Sequence, residues 1–288
     1  MTPERRRLAL RAMARALKLR QQNGIAPDQP CCVYDLAERV GVEVRFAEIP
    51  SAEGIYSPGK PVIVVSSLRP AGRQAFTCAH ELGHHVYGHG ERFDELVEER
   101  GANRRNDPKE FEADCFGAAL LVPKTAVLKG LAARGFSPKT LTSEQAYVIS
   151  SWLGVGYTTL VGNMGRNMDL LGKDQVSALE KVKLPTIRKS LLGAECKEHL
   201  VVVDEAWTGR PVDVQVGDVI QLPSSTSIEG PVVEEITRTS KARVVRAVKP
   251  GIGRLEIASA GWSQFVRVSR KQYSGLARYR HLEEVDDE

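Results

Sequence analysis

Two different spacings of apolar residues run along this 288-residue chain, and the change between them falls near residue 199. Before that point, apolar positions recur mostly three and four residues apart, which is typical of helices with one buried face. After it, short runs rich in Val, Ile and Leu alternate with turn residues, which predicts strands. The predicted helices are 2–22, 33–40, one beginning at Pro70, 110–123, 143–153, 157–164 and 187–195. The predicted strands are 42–47, 55–56, 62–65, 200–203, 219–222, 232–237, 242–248, 255–258 and 265–268.

This order of elements predicts an α+β protein in three parts. We expect a first domain at residues 1–125 that mixes helices and strands. A helical segment at residues 126–198 follows it. A β-rich C-terminal domain at residues 199–288 is expected to form a small antiparallel barrel or sheet, and it is a candidate sensor or regulatory module. The strongly charged stretch 92–107 is predicted to connect two of the helices in the first domain.

The helix beginning at Pro70 contains His80-Glu81-x-x-His84, the H-E-x-x-H pattern of zinc metallopeptidases. Residues four apart lie on one face of a helix, so the two imidazoles can bind one Zn²⁺. Glu81 then stands beside the metal, where it can take a proton from a bound water whose pKa zinc lowers towards about 7. The pattern predicts metal ligands at His80 and His84 and a general base at Glu81.

A third protein ligand is expected from elsewhere in the chain, because catalytic zinc sites keep one position open. His85 and His89 have the wrong spacing from His84, so we expect them at the surface or behind the ligands. The predicted helix 110–123 carries acidic residues at its start, and Glu112 is the preferred candidate. The alternative is that Glu112 only favours the helix macrodipole.

The combination of HELGHH on one helix with E-A-D-x-F-x-A-x-L-L-x-P on the next resembles the ImmA/IrrE family of bacterial and phage metallopeptidases, with its gluzincin-like site. The resemblance runs from about Val33 to Pro123, and it implies a zincin-like fold for the first domain. It also implies that Glu112, the glutamate before the alanine, is the third Zn²⁺ ligand. The substrate it implies is an XRE-type transcriptional repressor, cleaved to switch on stress-response or mobile-element genes.

The strand around Ile55 and Tyr56, or its neighbour, is expected to offer an edge along which a substrate peptide pairs. Such pairing gives affinity with little demand on the peptide's sequence. Tyr56 is a candidate contact to the substrate or the oxyanion. A packing role for its ring is the alternative.

The two predicted helices 143–153 and 157–164, joined by Gly154-Val155-Gly156, resemble a helix-turn-helix. Together with the basic first helix, they support an alternative function, a DNA-associated transcriptional regulator with a non-catalytic zinc site. The second helix offers few residues for reading DNA, so direct DNA contact is possible but not favoured. The complete H-E-x-x-H pattern also argues against a purely structural zinc site, because such a site needs no general base at Glu81.

Charge, apolar runs and cysteine content restrict the partners and the compartment that the sequence predicts. The net charge of +4 is too small to indicate nucleic-acid binding by itself. No apolar run reaches the length of about 20 residues that spans a membrane, and no signal core follows the basic N-terminus. The five cysteines are odd in number and irregular in spacing, which favours a reducing compartment over a disulfide framework. We therefore expect a cytoplasmic protein with no membrane contact.

Overall fold

The computed structural model of the protein describes residues 2–90, 92–95 and 107–282. Contacts between Cα atoms divide the chain into two compact units. The first unit comprises Met1–Leu128, Leu153–Gly156 and Ser274–Arg278. The second comprises Lys129–Trp152, Tyr157–Tyr273 and Tyr279–Glu288.

Helices and strands are mixed along the described chain, as the sequence predicts for an α+β protein. The helices are α1 Pro3–Gln22, α2 Val33–Arg39, α3 Ala71–Tyr87, α4 Pro108–Leu121, α5 Lys124–Ala132, α6 Ser143–Leu153, α7 Tyr157–Arg166, α8 Lys173–Lys181 and α9 Leu184–Leu192. The strands are β1 Glu43–Ala47, β2 Ala52–Ser57, β3 Val62–Ser66, β4 Arg92–Glu95, β5 Leu200–Val202, β6 Val212–Gln215, β7 Val219–Pro223, β8 Ser227–Glu229, β9 Val233–Arg238, β10 Ala242–Ala247, β11 Gly251–Ile257, β12 Trp262–Ser269 and β13 Gly275–Leu276.

The first unit is built on one sheet with the strand order β13-β1-β3-β2-β4. Strand β1 is parallel to β3, and the other pairs are antiparallel. Because β2 pairs on both sides, the strand around Ile55 does not itself form the edge that was expected for a substrate. Among the described strands, the neighbouring β4 is the last one on that side of the sheet. It was not predicted, and the rest of the charged connector, residues 96–106, lies outside the described residues.

The last strand, β13, comes from the end of the chain yet pairs with β1. This pairing places Gly275–Leu276 in the first unit and not with the C-terminal strands, where the three-part division had them. The division at residues 125 and 198 otherwise remains a prediction.

Helices α3 and α4 approach each other closely because glycines stand at their contact. A Cβ atom added to Gly83 of α3 would lie 3.1 Å from a ring carbon of Phe116 and 3.2 Å from the Cα of Ala113. A Cβ added to Gly117 of α4 would lie 3.2 Å from the backbone nitrogen of His80. Each helix therefore presents a glycine to the other, and the face of α3 that carries His80 lies directly against α4.

Helix α1 is anchored to α4 by a buried arginine. The guanidinium of Arg20 is fully buried and donates to the carbonyl oxygens of Leu120, at 2.6 Å, and Ala26, at 2.9 Å. A third bond goes to the carbonyl of Gln29. A buried cation needs such partners, since an unpaired one would be strongly destabilising. Arg20 thus ties the end of α1 to the end of α4.

The second unit combines helices with two four-stranded sheets, β5-β7-β10-β9 and β6-β12-β11-β8. Most pairs are antiparallel, as predicted for the β-rich segment. Two pairs, β5 with β7 and β6 with β12, are parallel, which departs from the expected all-antiparallel arrangement. The strands of each parallel pair are separated by other strands in the chain, so a crossover replaces a tight hairpin.

The helix-turn-helix candidate is formed by α6 and α7, with Gly154 in the left-handed region at φ 71°. The polar residues near the end of α7 are engaged with neighbours. The amide of Asn163 donates to the carbonyl of Thr159 at 2.8 Å, and the amide of Asn167 donates to Asn163 Oδ1 at 2.6 Å. Arg166 lies 3.6 Å from Glu180. Asn163 and Asn167 thus bond within α7, while Arg166 and Asn167 remain exposed at its end.

One stretch, Pro108–Ala132, is long and apolar enough to cross a membrane by length and composition. Pro123 interrupts it between α4 and α5, and more than half of its most apolar window is buried in the protein. Core helices of water-soluble proteins pass the same test, so it is weak evidence for a membrane span.

We expect Gly83→Val to lower the free energy of unfolding by about 1–3 kcal/mol, because the new side chain overpacks the contact with α4. Thermal or urea denaturation measures this. Gly59→Val is the matched control, since Gly59 lies in a turn with nothing within 4 Å of an added Cβ. Equal stability of the two variants would contradict the close packing of α3 on α4.

Candidate metal centre

Helix α3 carries His80 and His84 one turn apart, so both rings leave the same face. Both residues are buried, with 3% and 0% of their surface exposed. Their Nε2 atoms face each other at 3.0 Å. The H-E-x-x-H spacing therefore brings the two imidazoles together as predicted.

Helix α4 adds Glu110 to this pair. Its Oε2 atom lies 3.3 Å from His80 Nε2, and its Oε1 atom lies 3.6 Å from His84 Nε2. One ligand atom from each of the three residues lies within 4.8 Å of the others, and all three residues are buried. Within the described part of the chain, these three residues form the cluster that could hold a metal ion.

The structure thus places Glu110 beside the imidazoles, where the sequence analysis expected Glu112. Residues two apart on a helix point about 200° from one another, so α4 cannot present both carboxylates to one site. Glu112 faces α1 instead, where Arg11 binds it through two hydrogen bonds of 2.6 and 2.8 Å. The structure therefore places Glu110, and not Glu112, with the two imidazoles, and Glu110 replaces Glu112 as the candidate third ligand.

A spacing in the sequence could have identified Glu110. Glu110 and Asp114 are four residues apart, so α4 directs two carboxylates from one face, just as α3 directs two imidazoles. Asp114 Oδ1 accepts a hydrogen bond from His80 Nδ1 at 2.9 Å. A carboxylate behind a metal-bound imidazole orients the ring and fixes its tautomer.

The electrostatics of the group favour a positive charge at His80. Burial, the largest influence, lowers the pKa of this imidazole, but hydrogen bonds with Asp114 and Glu110 outweigh it and raise the pKa to about 10. Burial also acts to raise the pKa of Glu110, and its hydrogen bonds with His80 and His84 bring it well below the usual range. Carboxylates around buried imidazoles thus create a site for a cation, either a proton or a metal.

The donor set fits a divalent metal of the zinc type. An ionised Asp114 can only accept a hydrogen bond, so the proton of a neutral His80 lies on Nδ1. The lone pair on Nε2 is then free to coordinate a metal. Two nitrogens that bind one zinc ion at about 2.0–2.1 Å must lie within roughly 4.2 Å of each other, and here they are 3.0 Å apart. Two imidazoles and one carboxylate are typical of catalytic zinc sites.

Glu81 is fully buried on α3, next to the same group. Its negative charge contributes to the raised pKa of His80. Gly54 of β2 lies against its side chain, because an added Cβ there would be 3.3 Å from both Cγ and Oε1 of Glu81. The glycine allows β2 to pass close to this carboxylate.

The hydroxyl of Tyr56 is hydrogen-bonded to His85 Nδ1 at 2.8 Å. His85 follows His84 by one residue, about 100° around the helix, so this bond lies off the metal-facing side of α3. Burial raises the pKa of Tyr56 and lowers that of His85. A role of Tyr56 as a substrate or oxyanion contact remains a prediction.

His89, expected at the surface or behind the ligands, lies with its Nδ1 atom 2.9 Å from Nδ1 of His84. On a continuous helix it would point about 140° away. The helix ends first, however, because Gly88 adopts the left-handed conformation at φ 63° and reverses the chain. A glycine directly after a helix is the sequence signal for such a turn.

Comparison with known families matches residues 37–137 to the Peptidase_M78 model, described as the IrrE N-terminal-like domain. Residues 37–137 belong to the ImmA/IrrE family. The match covers about a third of the chain, including α3 and α4 with their buried histidines and glutamate. Both the resemblance in the sequence and this match thus identify a domain of a peptidase family.

Comparison with curated proteins finds no match. Among solved structures, a Mycobacterium tuberculosis transcriptional regulator aligns at 16% identity with a TM-score of 0.34. The alignment covers 56% of this chain and 46% of that chain, so it spans less than half of the regulator. A likeness at this level carries no conclusion about the fold or function of this chain.

Glu110→Gln is expected to weaken zinc binding more than 100-fold, beyond the loss of about 10–100-fold that is usual for groups behind the ligands. The reason is that the carboxylate within 3.3–3.6 Å of both imidazoles is lost. Chelator competition measures the dissociation constant. Glu112→Gln is the matched comparison, and a larger loss in that variant would restore Glu112 as the ligand.

Zinc affinity is expected to rise about tenfold per pH unit between pH 6 and 8. His80 holds a proton below its raised pKa of about 10, and coordination through Nε2 must displace this proton. Lower pH therefore favours the competing proton and weakens zinc binding. Calorimetry in buffers of different ionisation enthalpy would detect the released proton. An affinity independent of pH would contradict the protonated state of His80.

Proposed function

We propose that this protein is a zinc-dependent endopeptidase that cleaves a transcriptional repressor of the XRE type. The observation that carries the proposal is the convergence of His80, His84 and Glu110 in one buried group, with Glu81 beside it, inside a domain of a peptidase family. Cleavage of the repressor would switch on stress-response or mobile-element genes. That part of the proposal comes from the family resemblance.

His80, His84 and Glu110 would hold the metal, and Glu81 would act as the general base. A zinc ion held by these three residues would supply a Lewis acid for the scissile carbonyl and would lower the pKa of a water molecule. Glu81 removes the proton from the attacking water and returns it to the leaving amine. Its complete burial keeps bulk water from the carboxylate, which strengthens its interaction with nearby charges.

The sheet of the first unit supports a binding mode for the substrate. Strand β4 ends this sheet, and its inner neighbour β2 runs past Glu81 at Gly54. A peptide that pairs with β4 would extend the sheet by backbone hydrogen bonds. Selection among repressors would then depend on a few side-chain positions and on contacts elsewhere.

The alternative of a DNA-associated regulator has less support from the contacts. On α7, the candidate base-reading amides Asn163 and Asn167 bond within their own helix. On α1, Arg20 is buried against backbone carbonyls and Arg11 binds Glu112. Arg20 is thereby withdrawn from the surface, whereas Arg11 stays 60% exposed but is engaged with Glu112.

Glu81→Gln is expected to retain zinc and to lower cleavage about 10²–10⁴-fold, because the amide cannot accept the proton of the attacking water. The assay combines the purified protein, Zn²⁺ and the XRE-type repressor encoded nearest to this gene. Gel analysis and mass spectrometry of the products give the rate and the cleaved bond.

Glu229→Gln, which alters an exposed carboxylate of the second unit, is the matched control and should cleave like the wild type. Wild-type cleavage by Glu81→Gln would refute the role of Glu81. No cleavage by a wild-type preparation that holds one zinc would reject this repressor as the substrate.

A further inference from the structure

We propose that Glu112, His89 and Arg11 form a chain of positioning residues that fixes the tautomer and ring orientation of His84 for metal binding. The inference rests on the proposed metal site and adds three residues that do not touch the metal. It also gives a role to Glu112, whose carboxylate is buried yet directed away from the ligand group.

The chain begins at the surface of α1. Arg11 donates from Nε to Glu112 Oε1 at 2.6 Å and from Nη2 to Oε2 at 2.8 Å. The Arg11 side chain is 60% exposed, whereas that of Glu112 is 2% exposed. A bidentate pair of this kind holds the carboxylate in one orientation. Arg11 thus sets the direction in which Glu112 presents its oxygens to the interior.

The next member is His89, on the other side of Glu112. Its Nε2 atom lies 3.6 Å from Glu112 Oε2, and its Nδ1 atom lies 2.9 Å from His84 Nδ1. The ring of Tyr87 is stacked on the His89 ring, with centroids 5.4 Å apart and planes 15° apart. Arg11 also lies over the face of Tyr87, at 5.6 Å from its centroid. These contacts hold the plane of the His89 ring.

The positions of the protons follow from the donors and acceptors. The carboxylate of Glu112 lies 3.6 Å from His89 Nε2, at ion-pair rather than hydrogen-bond distance, and the nearby acceptor oxygen favours the proton of a neutral His89 on Nε2. Nδ1 of His89 then carries a lone pair and accepts the Nδ1–H of His84. Nε2 of His84 is left with its lone pair, directed at Nε2 of His80 and at Glu110. This is the tautomer that binds a metal through Nε2.

The two ligand histidines are therefore supported in different ways. Asp114, which is on α4, accepts directly from His80 Nδ1. For His84 the supporting carboxylate is that of Glu112, which also lies on α4. Glu112 does not bind His84 directly, and His89 stands between the two. Groups behind metal ligands typically change affinity by about 10–100-fold when they are removed. If Arg11 and Glu112 formed only an ion pair between α1 and α4, removal of Glu112 would lower protein stability and leave the metal affinity unchanged.

The experiment measures zinc affinity by chelator competition for wild type, His89→Phe, Glu112→Leu and the double variant. Phenylalanine keeps a ring to stack on Tyr87 and removes both nitrogens. Each single variant is expected to bind zinc about 10–100-fold more weakly. The double variant is expected to match the weaker single variant, since both changes break one chain. Visible absorption of the Co²⁺-loaded proteins should show a shifted ligand-field band.

Asp204→Asn is the matched control, because it removes the carboxylate from another bidentate pair, Arg134–Asp204 in the second unit. It should keep wild-type zinc affinity and the wild-type Co²⁺ spectrum. Wild-type affinity and spectrum in His89→Phe and Glu112→Leu, with only a lower melting temperature of the metal-free protein, would overturn the positioning role. Additive losses in the double variant would also overturn it. A wild type that binds no zinc would instead reject the metal site and the proposed function.

Discussion

The close approach of α3 and α4 is the constraint on which the candidate site depends. Gly83 and Gly117 carry no side chain that would separate the two helices, and a Cβ added to either would lie 3.1–3.2 Å from atoms of the other helix. Only at this separation can a carboxylate of α4 reach both imidazoles of α3. The same packing buries His80, His84 and Glu110, so the geometry of this group depends on the stability of the first unit.

Burial and charge act together in that group. Glu110 of α4 lies buried against two buried imidazoles, where interactions between charges are stronger than at the surface, and the half-exposed Asp114 binds Nδ1 of His80. Desolvation by itself would favour a neutral His80, yet the hydrogen bonds with Asp114 and Glu110 reverse this preference. The structure thus stabilises a positive charge at a place where a fully apolar core would exclude it, which is the electrostatic requirement of a metal-binding site.

The basic N-terminal helix illustrates how one sequence feature can have two interpretations. Its arginines are compatible with nucleic-acid binding when they are read as composition alone. In the folded first unit, Arg20 satisfies carbonyl oxygens at the end of α4, and Arg11 holds Glu112. These arginines therefore contribute to the internal organisation of the metallopeptidase-like domain, and they connect α1 to the helix that carries Glu110.

The sequence by itself determined what local periodicity encodes: the helix with His80, Glu81 and His84, the mixed α+β pattern, and the β-rich end of the chain. These follow from residues less than two turns apart. Tertiary structure decided what depends on distant segments, such as the pairing of β13 with β1 and the placement of Glu110, not Glu112, beside the two imidazoles. A helix shows which residues share a face, but only its packing partner determines which face becomes the site.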